Sequence, residues 1–207
     1  MVKGVVMIGA GGHAKVCIEL LRAMGRSVDF CIGNAGAAQT CLGVPVVEGD
    51  EYMAKLRKQG YEEAFIAIGS NSLRNRLGIQ AMNLGYKLVN AISPVAQISP
   101  SASIGNGVAI MAGVIINAET IIGDLAVINT GASIDHDCHI GRAVHIAPQC
   151  ALAGNVTIAS EAFLGVGCKV IPGIKIGENT TLGAGAVAIR NIPANMKAVG
   201  VPARIVN

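Results

Sequence analysis

The sequence predicts an α/β plus all-β protein: a small α/β unit followed by a parallel β-helix. Three observations carry this reading. Strand-like and helix-like segments alternate through the first 94 residues, a glycine-rich turn separates the first strand from the first helix, and from Ile98 an aliphatic residue returns at every sixth position.

The α/β unit can be built element by element. KGVVMIG (3–9) is an apolar run of strand length, and GAGGHA continues from its end. AKVCIELLRAMG (14–25) reads as a helix and ends on glycine, a helix stop. VDFCI (28–32) and VPVV (44–47) read as the second and third strands, DEYMAKLRKQ (50–59) as a helix, and EAFIAIG (63–69) as a strand. SLRNRLGIQAMNLG (72–85) supplies the last helix and YKLVNAI (86–92) the last strand. Such alternation predicts a parallel sheet with helices on its faces and a boundary near residue 94.

Gly9, Gly11 and Ala14 satisfy G-x-G-x-x-A between a strand and a helix, which suggests a phosphate at a helix N-terminus. A dinucleotide reader would carry an acid at the end of the second strand, where this chain has CIGN. A unit of about 95 residues is also short for two mononucleotide halves. The unit is therefore read as holding a nucleotide diphosphate in preference to NAD.

The second half divides into hexads: ISPSAS, IGNGVA, IMAGVI, INAETI, and so on to LGAGAV. Fifteen of them span Ile98 to Val187. Each begins with Ile, Leu or Val, and its fifth residue is Ala, Val, Thr, Cys or Ile. Neither the 3.6-residue helical period nor the two-residue strand period produces six. Three hexads close one triangular coil, so the repeat gives five coils, stacked at about 4.8 Å into a prism roughly 24 Å tall. The first-position aliphatic points inward, and the small fifth residue fits where the chain turns. The register shows no break, so no long loop leaves the prism. Cys138, Cys150 and Cys168 occupy fifth positions and are read as buried corner fillers.

Composition narrows the function. Apolar residues make up 52% of the 207, but only 3% are aromatic and 27 are glycine, so the core is built from small and aliphatic side chains. A net charge of +3 with no basic run argues against nucleic acid. Gly, Asn and Asp interrupt the apolar segments before any reaches membrane-spanning length. The first residues run directly into the strand pattern without a leader-type cleavage site. Six scattered cysteines with no CxxC pair fit a reduced, cytoplasmic protein.

The chemistry concentrates in IDHDCHIGRAVH (134–145), with three histidines and two aspartates. His136 is third in its hexad, while His139 and His145 are sixth in theirs. His139 and His145, one hexad apart, lie about 120° apart around the prism, and His136 and His145 are half a coil apart. They do not converge on one metal ion within a chain, and no HxxxH or cysteine pair assists. Sites on different faces can meet when a neighbouring prism supplies one of them. A histidine near neutral pKa suits removal of a proton from an amine or hydroxyl attacking a thioester, and an adjacent carboxylate fixes its tautomer. Gly154 holds the same hexad position as His136 one full coil later and therefore stacks on it. Nothing assigns a role to His139.

GAGGHA, IAIGSN (66–71), the uninterrupted prism with IDHDCHIG, and the tail AGAVAIRNIPANMKAVGVPARIV together resemble the bacterial hexapeptide-repeat sugar acetyltransferases. That group includes UDP-4-amino-sugar N-acetyltransferases and sialic acid O-acetyltransferases. The resemblance implies a left-handed β-helix, an exception to the usual right-handed crossover. It makes residues 1–94 a Rossmann-like nucleotide-sugar-binding domain and residues 95–207 the acyltransferase domain with its tail. It implies His136 as general base, Asp137 as its support, and Gly154 as the oxyanion donor. It places the nucleotide sugar at Gly11, Gly12, His13, Gly33, Asn34 and Gly69. It places acetyl-CoA at His145, Val166, Ala184, Gly185, Arg190 and Arg204, with Pro202 in the same tail; arginine suits the phosphates.

Where the family often has two aspartates after the second strand, this chain has Gly33 and Asn34. Asparagine still hydrogen-bonds a base edge, and family frequency favours UDP over GDP or CMP. The implied activity is acetyl-CoA-dependent N-acetylation of a nucleotide-linked amino sugar of the UDP-4-amino-4,6-dideoxy type, in bacterial surface-glycan synthesis. The expected assembly is a homotrimer with active sites between subunits and no metal. O-acetylation of a sialic-acid-like sugar is the alternative within the enzyme class. A non-catalytic trimeric scaffold is the alternative outside it, and His136 with Asp137 at the expected register positions speaks against that.

Overall fold

The protein is described by a computed structural model, over residues 3–206. It forms two compact units, one ending at Pro94 and one beginning at Val95.

The first unit is a six-stranded sheet in the order β3-β4-β2-β1-β5-β6. Its elements are β1 (Val5–Ile8), α1 (Gly12–Ala23), β2 (Val28–Gly33), β3 (Thr40–Cys41), β4 (Val44–Glu48), α2 (Glu51–Lys58), β5 (Glu63–Ile66), α3 (Asn71–Asn83) and β6 (Lys87–Leu88), followed by a short β7 (Ala91–Ile92). β1 is buried along its whole length because it has a parallel neighbour on each side, β2 and β5. A continuous apolar run is what such a central parallel strand requires.

Two local differences from the sequence reading have identifiable causes. β3 and β4 form an antiparallel hairpin, Thr40 opposite Pro45, at the edge of an otherwise parallel sheet. Its two-residue turn, Leu42–Gly43, has positive φ at both positions (47° and 78°), the conformation of a primed hairpin turn. Leucine is a poor marker for that turn, so little in the sequence signals it. The expected last strand, 86–92, is instead two pieces. Val89 N–H donates to Ala64 O, and there the ladder with β5 ends.

The second unit is a left-handed parallel β-helix with three faces. The first face stacks Gln97–Ile98, Ile115–Ile116, Ser133–Ile134, Ala151–Leu152, Lys169–Val170 and Val187–Ala188. The second stacks Ser103–Ile104, Ile121–Ile122, His139–Ile140, Thr157–Ile158 and Lys175–Ile176. The third includes Ala109–Ile110, Val127–Ile128, His145–Ile146, Phe163–Leu164 and Thr181–Leu182. Each strand pairs in parallel with its counterpart in the next coil, as Ser133 does with Ala151. Every first-position aliphatic from Ile110 to Leu182 is buried, and so is every fifth-position residue from Val108 to Ala186.

The corners obey a further rule. The fourth residue of each hexad from Gly107 to Gly185 adopts a left-handed conformation, including Asp137 (φ 58°) and Asn155 (φ 59°). Glycine and asparagine recur there because few other residues take that geometry cheaply. Fifth-position cysteines fill the corner and donate to the next coil: Cys138 Sγ to Ala153 O at 3.2 Å, Cys150 Sγ to Gly165 O at 3.1 Å, and Cys168 Sγ to Gly183 O at 2.9 Å.

After Ala188 the coil tightens and loses the hexad spacing, so that Thr181 comes to lie opposite Lys197. The strand Arg204–Val206 then folds back antiparallel on Lys197–Val199 and ends the stack. Among the described residues no helix is long and apolar enough to cross a membrane.

Candidate active site

His136 and Asp137 are the third and fourth residues of one hexad, at the corner between the first and second faces. Because Asp137 is in the left-handed conformation, its side chain turns back beside its neighbour. His136 Nδ1 lies 2.7 Å from Asp137 Oδ2. An ionised carboxylate only accepts, so Nδ1 carries the proton and Nε2 presents a lone pair. The hydrogen bond to Asp137 is the main cause that raises the His136 pKa, and the charges of Asp135 and Asp137 add to it. Both side chains are about half exposed, at 54% and 51%, so a substrate can reach the ring from solvent.

Two more groups, one coil apart, fix the backbone at this corner. Asn117 Nδ2 donates to Asp135 Oδ1 at 3.0 Å, and His136 N–H donates to the same oxygen at 2.9 Å. These bonds hold the Asp135 carboxyl below its usual pKa, the backbone bond contributing most. The sequence reading overlooked this pair, although the signal was present: Asn117 and Asp135 are both second in their hexads, in successive coils.

Gly154 packs directly under the ring. A Cβ there would lie 2.6 Å from both His136 Cε1 and Nε2. The glycine is required by the imidazole itself. Its carbonyl accepts from Gly173 N–H at 3.0 Å, while its own N–H makes no hydrogen bond among the described residues.

The residues expected to meet acetyl-CoA lie elsewhere on the prism. Val166 and Ala184 are third-position residues one coil apart on the corner between the third and first faces, and both are exposed. Gly185 N–H donates to Val166 O at 2.8 Å. His145 projects from the third face, with Asn129 Nδ2 3.3 Å from its Nε2 and the Phe163 ring edge-on at 5.3 Å. Asn129 Oδ1 is taken by Thr130 N–H, so its amide nitrogen faces the ring and His145 Nε2 accepts. Arg190 and Arg204 are exposed, and Arg204 Nη1 donates to Ala203 O. His139 is exposed on the second face. Within one chain the fold thus brings together His136, Asp137 and Gly154 but leaves His145 on another face. Among the described residues, no group of three or more His, Cys, Asp or Glu could hold a metal ion.

The first unit carries a cleft of about 630 Å³ at the carboxyl ends of its strands. Gly11, Gly12, His13, Gly33, Asn34 and Gly69 all line it. Gly11 is the extended N-cap of α1, and Cβ atoms at Gly11, Gly12 and Gly69 would meet nothing within 4 Å, so these glycines leave the cleft open. Gly9 and Gly33 serve the fold: a Cβ at Gly9 would lie 2.6 Å from Ala67 O, and one at Gly33 2.8 Å from the Ala37 Cβ. The His13 pKa falls to about 4, first by burial and then by the Arg74 guanidinium, so the ring is neutral near pH 7. Fully buried Arg74, which the sequence reading did not single out, holds the strand-to-helix turn through Ile68 O (2.9 Å), Gly69 O (3.1 Å) and Asn71 Oδ1 (2.8 Å).

Comparison with known proteins agrees with this combination of cleft and prism. Residues 4–80 match the PglD N-terminal domain family. The chain superposes on PerB from Caulobacter crescentus, solved with CoA and GDP-perosamine, with a TM-score of 0.96 and 53% identity, covering 100% of this chain and 99% of that one. It also superposes on the acetyltransferase domain of PglB from Neisseria gonorrhoeae in complex with acetyl coenzyme A, with a TM-score of 0.90 and 35% identity over 98% of each chain. Among curated proteins, 50 residues are 42% identical to a serine acetyltransferase of Synechococcus elongatus; that is 24% of this chain and 20% of that enzyme. The chain spans only about a fifth of that relative. The protein belongs to the hexapeptide-repeat sugar acetyltransferases.

Proposed function

We propose that the protein transfers the acetyl group of acetyl-CoA to the amino group of a nucleotide-linked amino sugar. The observation that carries the reading is the His136–Asp137 pair over Gly154, in a chain 53% identical along its whole length to a GDP-perosamine N-acetyltransferase. The sugar nucleotide occupies the cleft lined by Gly11, Gly12, His13, Gly33, Asn34 and Gly69. That relative shifts the favoured base from UDP, which family frequency alone suggested, to GDP.

In this mechanism the substrate amine attacks the thioester carbonyl. His136 Nε2 takes the proton that the nitrogen sheds, and Asp137 stabilises the imidazolium. The unused Gly154 N–H is the donor assigned to the oxyanion. The tetrahedral intermediate collapses with expulsion of the CoA thiolate, which recovers the proton. His145 and the Val166–Ala184 corner of a neighbouring subunit, with Gly185, Arg190 and Arg204, hold the acetyl-CoA, so the working unit is a homotrimer, and its use of acetyl-CoA fits a cytoplasmic enzyme. Thiol release from acetyl-CoA, followed against GDP-, UDP- and CMP-linked amino sugars, tests the reading. Release with an amino sugar and none with its hydroxyl analogue is the expected result, and no release with any amino sugar overturns it.

A further inference from the structure

The cleft of the first unit has two ends of different chemistry. The α1 N-terminus and its glycines lie at the end of β1, the natural place for phosphates. β4 lies beyond β2, two strands and about 10 Å from β1. The base end of a nucleotide therefore falls over the ends of β2 and β4, where Gly49 N–H donates to Gly33 O at 3.0 Å. The wall there is Ala35, Gly36, Ala37 and Ala38, with no side chain larger than a methyl group, which leaves room for a two-ring base.

Asp50 faces the same cleft. It is the residue before α2, where an aspartate ordinarily caps the helix through its side chain. Here its backbone is already in the helical region (φ −64°, ψ −21°) and its carboxylate makes no capping bond. The two oxygens remain available as acceptors, and they would repel a phosphate.

Building on the nucleotide-sugar reading, we propose that Asp50 selects guanine by accepting from the N1–H and the 2-amino group together. Only guanine presents two adjacent donors on that edge. Uracil offers one N–H between two carbonyls, and adenine and cytosine set an amino group beside an acceptor nitrogen, so each brings an acceptor against the carboxylate. Asn34 lies on the neighbouring wall, and the missing acids after β2 are thus replaced by one acid after β4.

Calorimetric titration of the whole protein with GDP, IDP, UDP and ADP tests this, because IDP is GDP without the 2-amino group. Wild type is expected to bind GDP about tenfold more tightly than IDP, the value of one hydrogen bond to a charged group. UDP and ADP should bind more weakly still. Asp50→Asn should level GDP and IDP with little change in thermal midpoint, since the Asp50 side chain makes no capping bond to lose. Equal binding of GDP and IDP by wild type, or an undiminished preference in Asp50→Asn, would overturn the assignment. Tight UDP binding defeats the guanine assignment alone, whereas absence of binding by every nucleoside diphosphate defeats the nucleotide-sugar reading with it.

Discussion

Asp137 accepts the His136 Nδ1 proton at 2.7 Å and is the first cause of the raised ring pKa. A raised pKa keeps the ring protonated to higher pH, so the acid limb of kcat/KM should lie above the ordinary histidine range. Asp137→Ala removes that cause; the limb should move to lower pH while the plateau falls. The plateau loss should be smaller than the roughly 10²–10⁴-fold loss expected for His136→Ala, because the imidazole remains. A pH profile of both variants checks this, and an unmoved limb in Asp137→Ala would refute it. Gly154 makes a sharper test. An alanine methyl within 2.6 Å of two ring atoms must push the imidazole aside. Displacement of a reacting group by about 1 Å costs on the order of 10²-fold, so Gly154→Ala should lose about that much kcat with acetyl-CoA binding intact. Turnover at the wild-type rate would show that the ring position does not matter.

At the scale of elements, the first turn of α1 carries a titration that the cleft imposes. The His13 pKa is lowered from 6.5 to about 4, chiefly by burial. The folded state then binds fewer protons than the unfolded state between those values. This neutral ring gives its full contribution above pH 6.5, and the contribution is lost as pH falls toward 4, up to about 3 kcal/mol. Thermal melts of His13→Gln should show a flatter decline from pH 7 to pH 5 than wild type; identical curves would contradict the assignment. The β3–β4 hairpin offers the reverse case, a gain. Leu42 is exposed and sits at φ 47°, a conformation that asparagine tolerates better. Leu42→Asn should raise stability by about 0.5–1 kcal/mol in denaturant titrations, and a loss would show that leucine makes a contact of its own.

For the whole molecule, the separation of His136 and His145 on different parts of one prism predicts sites shared between copies. Subunits of inactive His136→Ala and His145→Ala, unfolded and refolded together, should recover activity. In a ring of three mixed at random, about a quarter of the interfaces combine an intact His136 with an intact His145. Recovery near that fraction fits sites between subunits, and none at all would place both histidines within one chain's own site. Sedimentation of the active protein as a stable monomer would contradict the trimer in the same way.

Much of the β-helix was legible in the sequence, because its physics is one-dimensional: each coil repeats the same demand, an aliphatic inside and a small residue at the turn. Ile134, Cys138 and Ile140 could be placed by counting, and so could the stacking of Gly154 on His136. The strand–helix alternation of the first unit was legible for the same local reason. What counting could not supply was direction within a position. The left-handed backbone at Asp137 that turns its carboxylate onto Nδ1, the bond from Asn117 to Asp135 across a coil, and the burial of Arg74 beneath the glycine-rich cleft all depend on contacts between residues far apart in the chain. The hairpin at Leu42–Gly43 escaped because tertiary pairing of Thr40 with Pro45 overrode the poor turn propensity of leucine. Asp50 was legible only as the start of a helix. The backbone of the folded chain is what leaves its carboxylate uncapped and facing the cleft.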